Sequence, residues 1–150
     1  MLGPTGLERS SALRPDGKSL VPWHQGKTLA WDVTVVDTLA DSHYKATSKK
    51  AAAAADRAEF LKREKYSSLT GSYFFQAVGF ETMGCWGGEA AAFIAKLGKM
   101  IIDRTNEPHA LDYLRQRISI EIQRFNAVSI LGTLPLSREL DEVFYLVRAG

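Results

Sequence analysis

Leu29-Ala30-Trp31-Asp32-Val33-Thr34-Val35-Val36-Asp37 is the run that decides the fold, because before its closing Asp37 only Asp32 and Thr34 interrupt its apolar character. Strand side chains alternate between two faces, so a strand that is apolar on both is covered on both. The run therefore predicts the central strand of a sheet with a layer on each side. A carboxylate within it costs several kcal/mol if left ionised and unpaired. Asp32 needs a partner, and the simplest are an arginine such as Arg14 or a cation.

Upstream, β-branched and aromatic residues also recur from Lys18 to Trp23, with Gln25-Gly26-Lys27 between that run and the one starting at Thr28. Two such runs around a short glycine-bearing turn predict a β-hairpin. Downstream, Ala40 to Lys50 is polar and carries no element, whereas Ala51 to Leu69 is rich in alanine and straight side chains and predicts a helix. Its small apolar stripe runs Ala51, Ala54 or Ala55, Ala58 and Leu61, and one more turn brings in Lys65. Tyr73 to Phe80, ending at Glu81, is a third strand, after which Gly84, Gly87 and Gly88 break the chain.

Glu89 to Arg104 predicts a helix with Phe93, Ile94, Leu97 and Ile101 inward and Lys96, Lys99 and Arg104 outward. Another runs from His109 to Ile130 along Leu111, Leu114, Ile118, Ile122 and Phe125, and Pro135 lies beyond it. Ser137 to Val147 has the pattern of a short amphipathic helix through Leu140, Val143, Phe144 and Val147. The order strand, strand, helix, strand, helix, helix is that of an α/β fold, a small mixed central β-sheet flanked by α-helices. The expected division is a loop over 1–13, one domain over 14–133 and an amphipathic tail over 134–150.

The chain has 150 residues, 45% of them hydrophobic, which is enough for one core and short for two. A formal net charge of +2 does not by itself announce a nucleic-acid partner, so any basic surface must be local. Such a surplus occurs between Lys45 and Lys65, where Lys45, Lys49, Lys50, Arg57, Lys62, Arg63 and Lys65 face only Asp56, Glu59 and Glu64. Basic groups of this kind hold phosphates without reading sequence. The single cysteine, Cys85, excludes an internal disulfide and a thiolate zinc cage, and His24, His43 and His109 are spread too widely for a metal motif. No apolar run approaches the roughly 20 residues that cross a bilayer. A soluble, intracellular protein is expected, the nucleus included. The short stretch before the first motif suggests a piece of something longer or a reopened reading frame.

Asp16 follows Arg14-Pro15 and precedes Gly17 at the start of the first strand. In a hairpin, residues near the start of one strand lie opposite residues near the end of the other. Two carboxylates converging there repel each other unless a cation lies between them, and a hard divalent ion suits such oxygen donors.

Arg14-Pro15-Asp16-Gly17, the strand-embedded Trp31-Asp32-Val33-Thr34-Val35-Val36-Asp37 and the later Lys62-Arg63-Glu64-Lys65-Tyr66 together resemble the endonuclease domains that follow the reverse transcriptase in certain non-LTR retrotransposons. Those domains are members of the PD-(D/E)XK nuclease superfamily. The likeness extends from Gly6 to Thr133 and takes in Phe80-Glu81-Thr82 and Gln123-Arg124-Phe125-Asn126-Ala127. It implies a restriction-endonuclease-like fold that hydrolyses DNA with Mg²⁺ or Mn²⁺, the metal held by Asp16, Asp32 and the Val33 carbonyl. Asp16, Asp32 and Lys65 would be catalytic. Lys49, Lys50, Lys62 and Arg63 would hold DNA, and Arg115, Arg117 and Arg124 would extend that surface.

Most of the superfamily carries a lysine two residues after the second acid, where this chain has Thr34. The retrotransposon branch resembles it in drawing a lysine from the following helix, with Lys65 expected first and Lys62 second. An upstream acidic helix common in the superfamily has only Glu8 to represent it. The other reading is a non-catalytic nucleic-acid-binding or structural remnant of a retrotransposon protein. A reverse transcriptase domain of a parent protein is a further expected partner.

Overall fold

The computed structural model describes residues 13–133. The amphipathic pattern at 137–147, most of the expected N-terminal loop, and Glu8 lie outside the described residues.

The hairpin forms as expected, from β1 (Gly17–His24) and β2 (Lys27–Val36). Gln25 and Gly26 make the turn with φ of 47° and 74°. Positive φ at both positions gives the turn twist that matches a right-twisted hairpin. β1 and β2 are antiparallel, with Gly17 opposite Trp31 and Lys18 opposite Ala30. The third strand, β3 (Tyr73–Glu81), lies parallel to β2 on its other side, Asp32 beside Ala77 and Thr34 beside Gly79. The order β1-β2-β3 makes a three-stranded mixed sheet with β2 at its centre.

Parallel neighbours require a crossover. Two helices supply it, α1 (Asp41–Thr47) and α2 (Ala53–Lys65), followed by a 3-10 turn at Ser67–Leu69. The polar stretch expected to carry no element therefore contains α1, which has no buried residue. Local bonds hold it: Asp37 Oδ1 accepts the Leu39 N–H, and Thr47 Oγ1 donates to Thr38 O at 2.8 Å. A search for an apolar face cannot find a helix made this way. The long predicted helix is also divided, its last residues forming the 3-10 turn.

Helices α3 (Gly88–Thr105) and α4 (Ala110–Leu131) follow β3. Asn106, at φ 56°, ends α3 in the left-handed conformation that asparagine tolerates, and its N–H bonds to Ile102 O. Alternation along the strands separates two faces. Val78 and Phe80 form the main apolar core with Ala90 of α3 and Ile122 of α4, while Trp86, Phe93 and Ile118 pack around them. The opposite face of the sheet carries Ala30, Asp32, Ala77 and Gly79 beneath α2. Phe125, expected on the inner stripe of α4, is 62% exposed.

Candidate functional site

The site is built where β1 begins beside the middle of β2, and at the C-terminal end of α2. Continuing the register beyond Gly17 and Trp31 sets Asp16 across from Asp32. Val33 donates its N–H to Asp16 Oδ2 at 2.7 Å, so the carboxylate lies along the edge of β2 where the backbone pairing with β1 has just ended. Asp16 is exposed, and Pro15 beside it is buried. Asp32 is 3% exposed and engaged at both oxygens. Tyr66 donates its hydroxyl to Oδ1 at 3.0 Å, and the Lys62 ammonium lies 2.5 Å from Oδ2. The lysine contact is a close charge pair rather than a well-directed hydrogen bond.

The partner of Asp32 is thus a lysine from α2 and not an arginine. It is also not the lysine that ranks first on the apolar stripe. Lys65 is exposed, and its ammonium stands 5.2 Å from the centre of the Tyr66 ring. The inward line of α2 runs Ala55, Glu59, Lys62 and Tyr66, at helical spacings of four, three and four, because Glu59 is buried while Leu61 is half exposed. Reading the stripe from alanines and leucine alone rotates the helix by one position. Lys62, expected on the DNA-holding surface and second for the site, is therefore the lysine that meets Asp32, and Lys65, expected first, faces solvent.

Tyr66 has the most constrained side chain in the group. It is 1% exposed, and its ring stacks on Phe75 at a centroid distance of 4.6 Å. Its hydroxyl also reaches Arg14 O at 2.9 Å. Burial foremost, then the bond to Asp32 and the negative charges of Asp32 and Asp16, push its pKa from 10.0 up to about 12. Thr34 Oγ1, two residues beyond Asp32, is buried and finds no hydrogen-bond partner among the described residues.

Lys49, Lys50 and Arg63 are exposed, as a phosphate-holding surface requires. Lys50 pairs with Asp56 at 2.7 Å and Arg63 with Glu89 at 2.6 Å. Exposed pairs of this kind contribute about 0–1 kcal/mol, so a phosphate can compete for either cation.

Two further glutamates are buried, and their roles escape a reading by composition. Glu59 Oε1 accepts the N–H groups of Gly79 and Ala90, at 3.0 and 2.8 Å, and Oε2 that of Glu89 at 2.9 Å. Glu81 Oε1 accepts those of Ala54 and Ala55. Glu59 of α2 closes the N-terminus of α3, and Glu81 at the end of β3 closes that of α2, where unpaired N–H groups and the helix dipole favour negative charge. The glycine-rich break after β3 is the sequence trace of this arrangement. A Cβ at Gly87 would collide with the Glu59 carboxylate, and one at Gly79 would lie 2.8 Å from Ala55 O.

Among the described residues no group of three or more His, Cys, Asp or Glu side chains is arranged to hold a metal ion. Asp16 and Asp32, across from each other in the continued register, supply two carboxylates. Their chemistry fits Mg²⁺, which keeps several waters and is commonly bound through one or two carboxylates. No helix among the described residues is long and apolar enough to cross a membrane. No family model, curated protein or solved structure matches the chain.

Proposed function

We propose that this chain is a metal-dependent DNA endonuclease domain, retroelement-derived and of the PD-(D/E)XK kind, with Lys62 in the role first expected of Lys65. The observation that supports it most is the Lys62 ammonium on the carboxylate of Asp32, a strand acid whose usual lysine position is occupied by Thr34. Asp16, Asp32 and the Val33 carbonyl are the groups that would hold Mg²⁺ or Mn²⁺. Such an ion, when bound, lowers the pKa of water and stabilises charge on a phosphate. Asp32, fixed by Tyr66, supplies an oriented carboxylate that does not have to reorganise. Lys62, with its side chain 30% exposed at the site, places positive charge where the phosphate's charge grows. Lys49, Lys50 and Arg63 hold the flanking backbone, and their contribution weakens as salt rises.

A second reading has its own observation. Asp32 accepts a hydrogen bond from Tyr66 at one oxygen and is charge-paired with Lys62 at the other, and a buried acid held in this way is stable as a structural element. A non-catalytic nucleic-acid-binding remnant would keep it for that reason. Nicking of supercoiled plasmid in Mg²⁺ or Mn²⁺ separates the two. The nuclease reading expects cleavage by the wild type, none by Asp32→Asn, and a turnover lowered about 100-fold or more by Lys62→Ala. Salt-sensitive DNA binding without cleavage would select the second reading.

A further inference from the structure

We infer that Tyr66 is the positioning residue that holds Asp16 in place against Asp32. The inference rests on the metal-site reading of those two aspartates. The hydroxyl of Tyr66 joins two separate segments. It bonds Asp32 Oδ1 on the central strand at 3.0 Å and Arg14 O, before β1, at 2.9 Å. Arg14 is separated from Asp16 only by Pro15, whose ring fixes φ near −65° and restricts the residue before it to extended backbone. A bond at the Arg14 carbonyl is therefore transmitted to Asp16 through a short, stiff lever. Pro15 is buried, and the Asp16 carboxylate is held at the far end by the Val33 N–H. The lever is thus fixed at both ends.

The tyrosine can bear this role because it does not move. It is among the two largest fully buried side chains of the described residues, stacked on Phe75 and placed where α2 ends, with its own N–H bonded to Lys62 O at 2.9 Å. That last bond also links it to the turn of helix carrying the lysine on Asp32. One hydroxyl proton serves two acceptors, so losing it loosens both segments together. Groups that orient metal-binding residues without touching the metal commonly change affinity by about 10- to 100-fold when removed.

Tyr66→Phe removes the hydroxyl and keeps the stacked ring. The test measures Mn²⁺ binding to the full chain by the electron spin resonance of the free ion, beside Asp32→Asn and the wild type. In parallel, the Val33 amide proton is followed by NMR without metal. The expected result is a Mn²⁺ affinity about 10-fold weaker in Tyr66→Phe, a shifted Val33 amide resonance, and a plasmid-nicking rate that recovers at saturating Mn²⁺. A purely structural tyrosine would lower the melting temperature and leave Mn²⁺ affinity unchanged well below it. Phe75→Leu, which loosens the ring and keeps the hydroxyl, should give a smaller loss of affinity and replaces the first variant if that one does not fold. If Asp32→Asn loses Mn²⁺ while both tyrosine-loosening variants bind as the wild type does, the positioning role is overturned and the metal site stands. If Asp32→Asn binds as the wild type does, or the wild type does not bind, the metal-site reading falls and the inference with it.

Discussion

Glu59 illustrates how much one residue can carry without showing it in the sequence. By position it is a charge on a basic, solvent-facing helix, yet it is 3% exposed and accepts three backbone N–H groups from β3 and α3. Its cost of burial is offset because each lone-pair direction it uses meets a donor that would otherwise be unsatisfied. Glu59→Ala removes the acceptor and leaves those donors in a dry site. The expected loss is on the order of 3–5 kcal/mol, read from the midpoint of urea unfolding at constant slope. A loss below about 1 kcal/mol would mean that water reaches those donors and that the carboxylate is not what joins α2 to α3. Tyr66 is the corresponding residue for the site, with two acceptors on one hydroxyl instead of three donors on one carboxylate.

At the scale of the element, α2 packs on one face of the sheet and meets the start of α3, and Asp56 sits where that contact opens to solvent. Its carboxyl is held below the ordinary 3.8 by the hydrogen bond from Lys50, then by the Gly88 N–H, with burial opposing and the Lys50 charge adding. The folded chain thus keeps Asp56 ionised at a lower pH than the unfolded chain does. The stabilisation is complete above pH 3.8 and fades as pH falls through the lowered folded value. Asp56→Asn should flatten the loss of stability in that acid window, as followed by thermal melts across pH, and salt should weaken the wild-type effect because the Lys50 pair is exposed. The same helix marks the limit of what the sequence reveals. Its existence follows from alanine content, and β2 from an apolar run interrupted only by Asp32 and Thr34, since both signals are local. The hairpin and its turn are legible for the same reason. Lys62 ranks only second to Lys65 in the sequence because the buried face of α2 contains a glutamate, and an apolar-stripe reading passes over a charge whose partners are backbone groups distant in sequence. α1 was hidden because it buries nothing. Pairing of Asp16 with Asp32 was legible as topology, but the tie through Arg14 O was not, because a backbone carbonyl leaves no trace in residue type.

Across the whole molecule the sheet acts as a partition, with most of the apolar packing on one side and the candidate chemistry on the other. Ile122 of α4 packs with Val78, Phe80 and Ala90, whereas Asp32 meets Tyr66 and Lys62 beneath α2. Neighbouring positions in β3 face opposite ways, so Ala77 and Val78 belong to different layers although they are adjacent in the chain. Ile122 and Asp32 pack on opposite faces of the sheet, and energies of separate sites usually add to within about 0.5 kcal/mol. Ile122→Ala empties core volume and should cost about 2–5 kcal/mol of stability. It should leave Mn²⁺ affinity unchanged at temperatures well below its lowered melting point, because nothing in the Asp16, Asp32 and Tyr66 group rests on α4. A double-mutant cycle with Asp32→Asn, measured by urea unfolding, gives the coupling directly. Additivity is expected. A coupling above about 1 kcal/mol, or weaker Mn²⁺ binding in Ile122→Ala, would show that the two layers communicate through β2 and β3, and that the position of the strand carrying Asp32 depends on how α4 packs behind the sheet.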